Sequence, residues 1–254
     1  MQLNVPGLEQ KVSQEEWQVR TDLAALYRLV AHFGWDDLVF THITARVPGP
    51  EHHFLINPYG LLYEEMCASN MVKVDLDGNK VMDSTFDINP AGYVVHSAVH
   101  EVREDAGCVV HWHSRAGIAV SAQKTGLLPI SQQSTIPLTS IAYHDYEGIA
   151  VDKEEKAALQ QDLGDKANLI LRNHGLLVVG ETVADAFLLM YFLETACQVQ
   201  VAAQGSGSEL ILIDQSIVDD SARTLGTATK GRLGGIAWPA LLRRMDRKDP
   251  SFRE

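Results

Sequence analysis

The chain has 254 residues, of which 46% are hydrophobic and 21% are charged, a composition that suits one large globular domain with a buried core. Its 33 acidic and 21 basic residues give a formal net charge of -12, which disfavours general binding to nucleic acid or to anionic membranes. No continuous apolar run approaches the roughly 20 residues of a membrane span, so we expect no membrane segment. Cys67, Cys108 and Cys197 are far apart in the chain, which predicts reduced, buried thiols in a cytoplasmic protein.

The first half of the chain alternates helical and extended patterns. Ser13 is followed three residues later by Glu16, which predicts a capping box at the start of a helix that ends at Gly34. After it, we predict strands at Ile43–Val47, Phe54–Ile56 and Val72–Leu76, a helix over Tyr93–Arg103 and a strand over residues 107–113.

The second half of the chain continues this alternation. We predict a helix from Arg115, a strand at Ile141–Tyr143, a helix over Lys153–Leu163, strands at Asn168–Arg172 and Leu176–Val179, a long helix over Val183–Gln204 and a short helix near Trp238. Short strands with helices before, between and after them predict a single α/β domain of three α/β/α layers, with a central, largely antiparallel sheet covered by helices.

The Gly/Ser stretch at 205–208 is the only candidate hinge in the sequence. We therefore predict one domain over residues 1–204 and a C-terminal arm over residues 205–254. The arm is expected to pack on this domain or on a neighbouring subunit.

A pair of histidines stands at the end of the apolar strand in the middle of the chain. His111 and His113 are two residues apart, so on a strand their side chains point to the same face and can share one metal ion. A His-x-His pair alone is more often structural than metal-binding. His174 is a candidate third ligand, because it follows a buried-looking strand and precedes Gly175, where the backbone can approach closely.

Longer stretches around these histidines resemble the class II aldolase/adducin family. The matching segments occur in the family's order over about residues 17–204 and comprise Thr41–Arg46, Ile56–Gly60, Ala106–Ser114, Leu171–Gly175 and Ala184–Phe187. The resemblance implies the family's α/β/α fold and one divalent metal ion held by His111, His113 and His174. Zinc is the expected ion, with manganese, iron, cobalt or nickel as alternatives.

The family's sugar-phosphate aldolases and epimerases cleave or rearrange a carbon skeleton through an enediolate, and many of them are tetramers with active sites near a subunit boundary. The resemblance therefore implies a small-molecule substrate and a homo-oligomer, with a tetramer favoured. It also implies substrate contacts from the residues at the matching positions, which are His42, Asn57, Tyr59, Gly60 and Gly92.

The chain departs from the family's pattern at the residue that carries acid–base chemistry. Gly92 occupies the place of a glutamate that acts at the metal, and a glycine can neither ligate an ion nor move a proton. His42 replaces an asparagine and Tyr59 replaces a threonine of the family's phosphate-binding region. A sugar-phosphate aldolase of the usual kind is therefore not expected.

Three interpretations of this altered site remain open. In the first, the protein is a metal-dependent carbon–carbon lyase that performs aldol cleavage or decarboxylation of a small hydroxy or keto compound, with His96, Tyr143 and Asp145 as candidate catalytic groups. In the second, it is an adducin-like scaffold with a residual metal site. Oxidative chemistry at an Fe(II) ion is a third possibility. The three retained histidines favour an enzyme.

Overall fold

The computed structural model describes residues 3–148 and 153–254, and a seven-stranded sheet forms its centre. The strands are β1 (His42–Arg46), β2 (Phe54–Ile56), β3 (Val72–Val74), β4 (Cys108–Trp112), β5 (Ile141–His144), β6 (Asn168–Leu171) and β7 (Gly175–Gly180). Their order across the sheet is β3-β2-β1-β4-β7-β6-β5. Every neighbouring pair is antiparallel except β5 and β6, so the predicted largely antiparallel sheet is confirmed.

Helices connect the strands and cover the sheet. They are α1 (Gln14–Phe33), α2 (Pro90–Val102), α3 (Arg115–Ser121), α4 (Gln132–Leu138), α5 (Lys153–Leu163), α6 (Val183–Gly205), α7 (Gln215–Ala228) and α8 (Trp238–Lys248). The sequence patterns did not predict α4 or α7. Helix α4 has only seven residues and contains Pro137, and α7 carries few large apolar residues and buries only Val218 and Ser221, so both give weak helical signals in the sequence.

The sheet has a different helical layer on each face, which confirms the three-layer prediction. One face packs on α1 and α6, and its core includes Leu26, Ile43, Val110 and Met190. The other face packs on α2 and α5 through a second apolar cluster that includes Val99 and Leu159.

Strand β4 supplies side chains to both layers because successive residues alternate. Cys108, Val110 and Trp112 belong to the α1/α6 core, whereas Val109 belongs to the α2/α5 cluster. This alternation places His111 on the α2/α5 face and turns Trp112 away from it, as the two-residue period predicts.

The C-terminal segment after α6 packs on the rest of the chain. The indole Nε1 of Trp238 donates to Asp22 of α1 at 2.8 Å, and the backbone N–H of Gly234 donates to Asp185 of α6 at 2.9 Å. Phe252 is fully buried in the α1/α6 core. These contacts lie against α1 and α6, in the layer opposite to the face that carries His111.

Helix α6 requires a correction to the expectation drawn from apolar runs. Its 23 residues have a mean hydropathy of 1.4 over the most apolar window, so by length and composition it could cross a membrane. The helix contains no continuous apolar run of that length, because Asp185, Glu194 and several uncharged polar residues interrupt its apolar residues. In the structure this helix lines the core, where Phe187 and Met190 are buried.

Of the two hydrogen bonds in the capping box predicted for α1, only one is present. The backbone N–H of Glu16 donates to the Ser13 hydroxyl at 3.1 Å, and Gly34 ends the helix in the left-handed conformation with φ of 69°. The Glu16 carboxylate does not reach back to Ser13. It accepts from Arg20 at 2.9 Å and from Lys73 at 2.8 Å, because the fully buried Arg20 guanidinium needs a counter-charge.

We expect Glu16→Ala to destabilise the protein by about 3 kcal/mol, since it leaves the buried Arg20 guanidinium without a carboxylate. The measurement is the midpoint of urea unfolding. Glu15→Ala is the matched control, because Glu15 is the exposed neighbour in the same helical turn and its loss should cost less than about 1 kcal/mol. Equal losses in the two variants would show that the Glu16–Arg20 pair contributes nothing specific.

Candidate metal centre

His111 and His113 lie together at one end of β4. The Nε2 atoms of the two imidazoles are 3.0 Å apart, and both rings project from the same side of the strand. His111 is 1% exposed, whereas His113 lies just past the end of β4 and is partly accessible. The two-residue spacing in the sequence therefore produces the pair that it predicts.

His174 reaches the same point from the hairpin between β6 and β7. Asn173 adopts the left-handed conformation with φ of 56° and turns the chain. A Cβ atom on Gly175 would lie 2.6 Å from the carbonyl oxygen of Trp112, so only glycine lets this hairpin approach the end of β4 so closely. As a result, the Nε2 atoms of His113 and His174 are 2.9 Å apart.

The partners of the Nδ1 atoms define which ring nitrogens can bind a cation. The Nδ1 of His111 lies 2.9 Å from the carbonyl oxygen of Leu176, and the Nδ1 of His113 lies 3.0 Å from the carboxylate of Asp37. Both partners only accept hydrogen bonds, so in each imidazole the Nδ1 carries a proton and the Nε2 is the atom left to bind a cation. A carboxylate or carbonyl behind the ring is the usual support of a metal-binding histidine.

This arrangement fits a divalent metal ion. Two lone pairs that face each other across 3.0 Å repel unless a cation or a proton lies between them. The ligand atoms of His111, His113 and His174 all lie within 4.8 Å of one another. Nitrogens bound to one zinc ion at tetrahedral angles are separated by roughly 3.3 Å, so only a small adjustment is needed.

Burial favours the neutral imidazoles that bind metals. Burial is the main cause that lowers the pKa of His174 to about 4, and the neighbouring histidines lower it further. The pKa of His111 is lowered well below its usual value for the same reasons. Both rings therefore remain unprotonated at neutral pH even before an ion binds.

His42 fills the space next to Gly92. It pairs with His111 across β1 and β4, and the two rings stack with centroids 5.9 Å apart. A Cβ atom on Gly92 would lie 2.3 Å from the Cδ2 of His42, so the imidazole occupies the volume that a side chain at position 92 would need. Asn89 contacts the Nε2 of His42 at 3.0 Å. Burial is the main cause that lowers the pKa of His42 to about 3.

His96, a predicted catalytic group, lies behind His42. It is fully buried, and its ring meets that of His42 edge-on with centroids 5.7 Å apart. The Thr44 hydroxyl bridges the Nδ1 of His96 at 2.7 Å and the Nε2 of His100 at 2.8 Å. The structure thus places His96 in the layer beneath the site, and its catalytic role stays a prediction.

Tyr143 and Asp145 are the other two predicted catalytic groups, and their surroundings differ from those of His96. The Tyr143 hydroxyl accepts from the backbone N–H of Leu127 at 3.1 Å, and its ring lies 4.2 Å from the Arg172 guanidinium. Asp145 is exposed and lies beside His174 at a narrow cleft. Their roles remain predictions.

Two of the residues expected to contact substrate line a cavity. Tyr59 and His42 line a cavity of about 530 Å³ above the three imidazoles. Asn57 is not among the described lining residues; it is buried, and its side-chain carbonyl oxygen accepts from the Tyr27 hydroxyl at 2.9 Å. Gly60 has φ of 93° and provides the turn that follows Tyr59.

Several residues of the cavity were not anticipated from the sequence. They are Asp37, Phe40, Asn89, Val95, Tyr146 and Gly148. Asp37 matters most, because it supports His113 from a position 76 residues earlier in the chain. The sequence offered one weak signal for it, an acidic residue shortly after the glycine that ends α1.

Comparison with known proteins identifies the family. A family model described as the class II aldolase and adducin N-terminal domain matches residues 21–201. A predicted aldolase class 2 protein from Pseudomonas aeruginosa is 56% identical over 250 residues, which cover 97% of this chain and 96% of that protein. Alpha-adducin from Mus musculus is 46% identical over 242 residues, which cover 90% of this chain and 33% of adducin.

The solved structure of an L-fuculose 1-phosphate aldolase from Glaciozyma antarctica PI12 has a similar fold. It superposes with a TM-score of 0.82 at 27% identity and covers 100% of this chain and 97% of the aldolase. Together with the converging histidines and the mixed seven-stranded sheet, these matches establish that the chain belongs to the class II aldolase/adducin family.

Proposed function

We propose that this protein is a metal-dependent carbon–carbon lyase that acts on a small hydroxy or keto compound. The observation that carries the proposal is the convergence of three imidazole Nε2 atoms at the floor of an open cavity. Three protein ligands leave coordination positions for a substrate, as in catalytic rather than structural zinc sites. Zinc is the expected ion, and another first-row divalent metal would suit the same ligands.

When bound, the ion would polarise a carbonyl or carboxylate of the substrate and stabilise the negative charge that develops on carbon. The chain's own residues perform the remaining tasks. Asp37 and the Leu176 carbonyl hold the rings of His113 and His111 in the tautomer that leaves Nε2 free. His42 and Asn89 lie at the wall of the cavity, where the Asn89 amide and the Nε2 of His42 are 3.0 Å apart and hold each other in place.

Aldol cleavage and decarboxylation are the two reactions that fit this site. Aldol cleavage by the family's usual route needs an acid–base group at the position of Gly92, and that position has no side chain. His42 fills the same volume and is the nearest candidate replacement. Decarboxylation generates the carbanion by loss of carbon dioxide and so requires less from a base.

An adducin-like scaffold is the second candidate function. The 46% identity to mouse alpha-adducin exceeds the 27% identity to the L-fuculose 1-phosphate aldolase, and this difference favours it. Against it, all three histidines are retained at one point, and two of them, His111 and His113, are held by dedicated partners on their Nδ1 atoms, as metal-binding histidines are. In either case, we propose a cytoplasmic homo-oligomer, with a tetramer favoured by the family.

Removal of one ligand should abolish metal binding without unfolding the protein. We expect the purified wild type to contain close to one equivalent of zinc or a related ion per chain, and His111→Ala to contain less than a tenth of that. Elemental analysis measures the content, and circular dichroism checks the fold. His32→Ala, which removes an exposed histidine of α1, should keep the metal. Equal metal contents in all three proteins would exclude the site.

The catalytic part of the proposal is tested by turnover. We expect the zinc-loaded protein to cleave or decarboxylate at least one member of a panel of unphosphorylated hydroxy and keto acids, at a rate that falls at least a hundredfold in His111→Ala. Product formation is followed by mass spectrometry. Failure of the fully metal-loaded protein to convert any member would instead support the scaffold.

The close packing of the His42 ring against position 92 is also testable. Gly92→Ala should cost about 1–3 kcal/mol of stability, because the new Cβ overlaps the His42 ring. In a His42→Ala background the same substitution should cost much less, since the overlapping ring is absent. Thermal unfolding of the four proteins gives this double-mutant cycle. A cost that is the same in both backgrounds would contradict the packing described for this pair.

A further inference from the structure

Above the three imidazoles, the cavity wall is built from exposed aromatic side chains. Phe40 is 49%, Tyr59 is 44% and Tyr146 is 54% exposed, and all three line the cavity. They come from three separate loops, which precede β1, follow β2 and follow β5. Large exposed aromatic rings that gather from distant parts of a chain around one site mark a surface that binds an apolar group.

The aromatic rings are arranged around the metal ligands rather than scattered. The Tyr146 ring meets the His174 ring edge-on, with centroids 6.2 Å apart. Val95, which is 4% exposed, adds an apolar side chain from α2 to the same wall. A ligand whose polar end reaches the three Nε2 atoms would therefore place its other end against these side chains.

The described part of the cavity lining contains no lysine or arginine. Its one carboxylate, Asp37, is engaged with His113. The nearby Arg172 is directed elsewhere, because its guanidinium lies over the Tyr143 ring and donates to the Gln123 carbonyl oxygen at 2.7 Å. A phosphate dianion placed here would meet aromatic rings and neutral imidazoles, and the chain's net charge of -12 would add to the cost.

We propose that this cavity selects small 2-hydroxy or 2-keto acids that carry an aromatic or similarly apolar substituent and no phosphate. The carboxylate and its neighbouring oxygen would bind at the metal, and the substituent would pack on Phe40, Tyr59 and Tyr146. The cavity volume of about 530 Å³ is ample for such a molecule. This inference rests on the proposed function, because it assigns the substrate class of the same metal site.

Three acids that share one head group test the inference. Lactate, mandelate and 3-phosphoglycerate are all 2-hydroxy acids, and they carry a methyl, a phenyl and a phosphate-bearing substituent. We expect zinc-loaded, full-length protein to bind mandelate at least tenfold more tightly than lactate in calorimetric titrations, a difference of about 1.4 kcal/mol. We expect 3-phosphoglycerate to bind no more tightly than lactate.

Substitutions in the aromatic wall test whether these side chains cause the expected preference for mandelate over lactate. Phe40→Ala and Tyr146→Ala should each reduce the ratio of mandelate to lactate affinity by about threefold or more. Ile211→Ala is the control, because Ile211 is 89% exposed and lies outside the cavity, so its loss should leave the ratio as it is in wild type.

The outcomes separate this inference from the proposed function. Metal-dependent binding with 3-phosphoglycerate as the tightest ligand, or with a ratio that the wall variants do not alter, would overturn the inference and leave the lyase proposal standing. Acid binding that is unchanged in His111→Ala would overturn both, because the acids would then not bind at the metal. No detectable binding of any of the three acids to the zinc-loaded protein would overturn the inference, while the turnover panel decides the lyase proposal separately. If Phe40→Ala and Tyr146→Ala change only the oligomeric state, the aromatic side chains form an interface with a second copy of the chain, and the inference is wrong.

Discussion

The structure of this site depends on one constraint, the meeting of three imidazole Nε2 lone pairs within reach of a single cation. Imidazole lone pairs about 3 Å apart repel each other, so these close Nε2 contacts need a positive charge between the rings. The Leu176 carbonyl and the Asp37 carboxylate accept the Nδ1 protons and so prevent the rings of His111 and His113 from relieving this repulsion by a change of tautomer. A proton can lie between only two of the three Nε2 atoms, whereas one metal ion can bind all three together.

The fold supplies this arrangement through the sheet. Strand β4 lies between β1 and β7, so its last residues are adjacent to the start of β1 and to the hairpin that carries His174. Cross-strand pairing places His42 beside His111, and the absence of a side chain at Gly175 lets the hairpin close on β4. The helices α2 and α5 cover this face, and burial lowers the pKa values of His111 and His174, which keeps these two imidazoles neutral.

Much of this could be predicted from the sequence, and the physical reason is that the relevant signals are local. The two-residue period of a strand brings His111 and His113 together, and the order of the family motifs identifies His174. The support that Asp37 gives to His113 could not be predicted, because it joins residues 76 positions apart. His42 and Gly92 were both recognised as departures from the family's pattern. Only the structure shows that the two positions are in contact, so that the larger side chain at 42 takes the space left empty at 92.

The most direct test of this account is X-ray absorption spectroscopy of the zinc-loaded protein. The account predicts three nitrogen ligands at about 2.0–2.1 Å, with the remaining positions filled by oxygen, and one nitrogen fewer in His174→Ala. A spectrum that shows only oxygen ligands, or one that is identical in the wild type and in His174→Ala, would contradict the claim that these three histidines bind one ion.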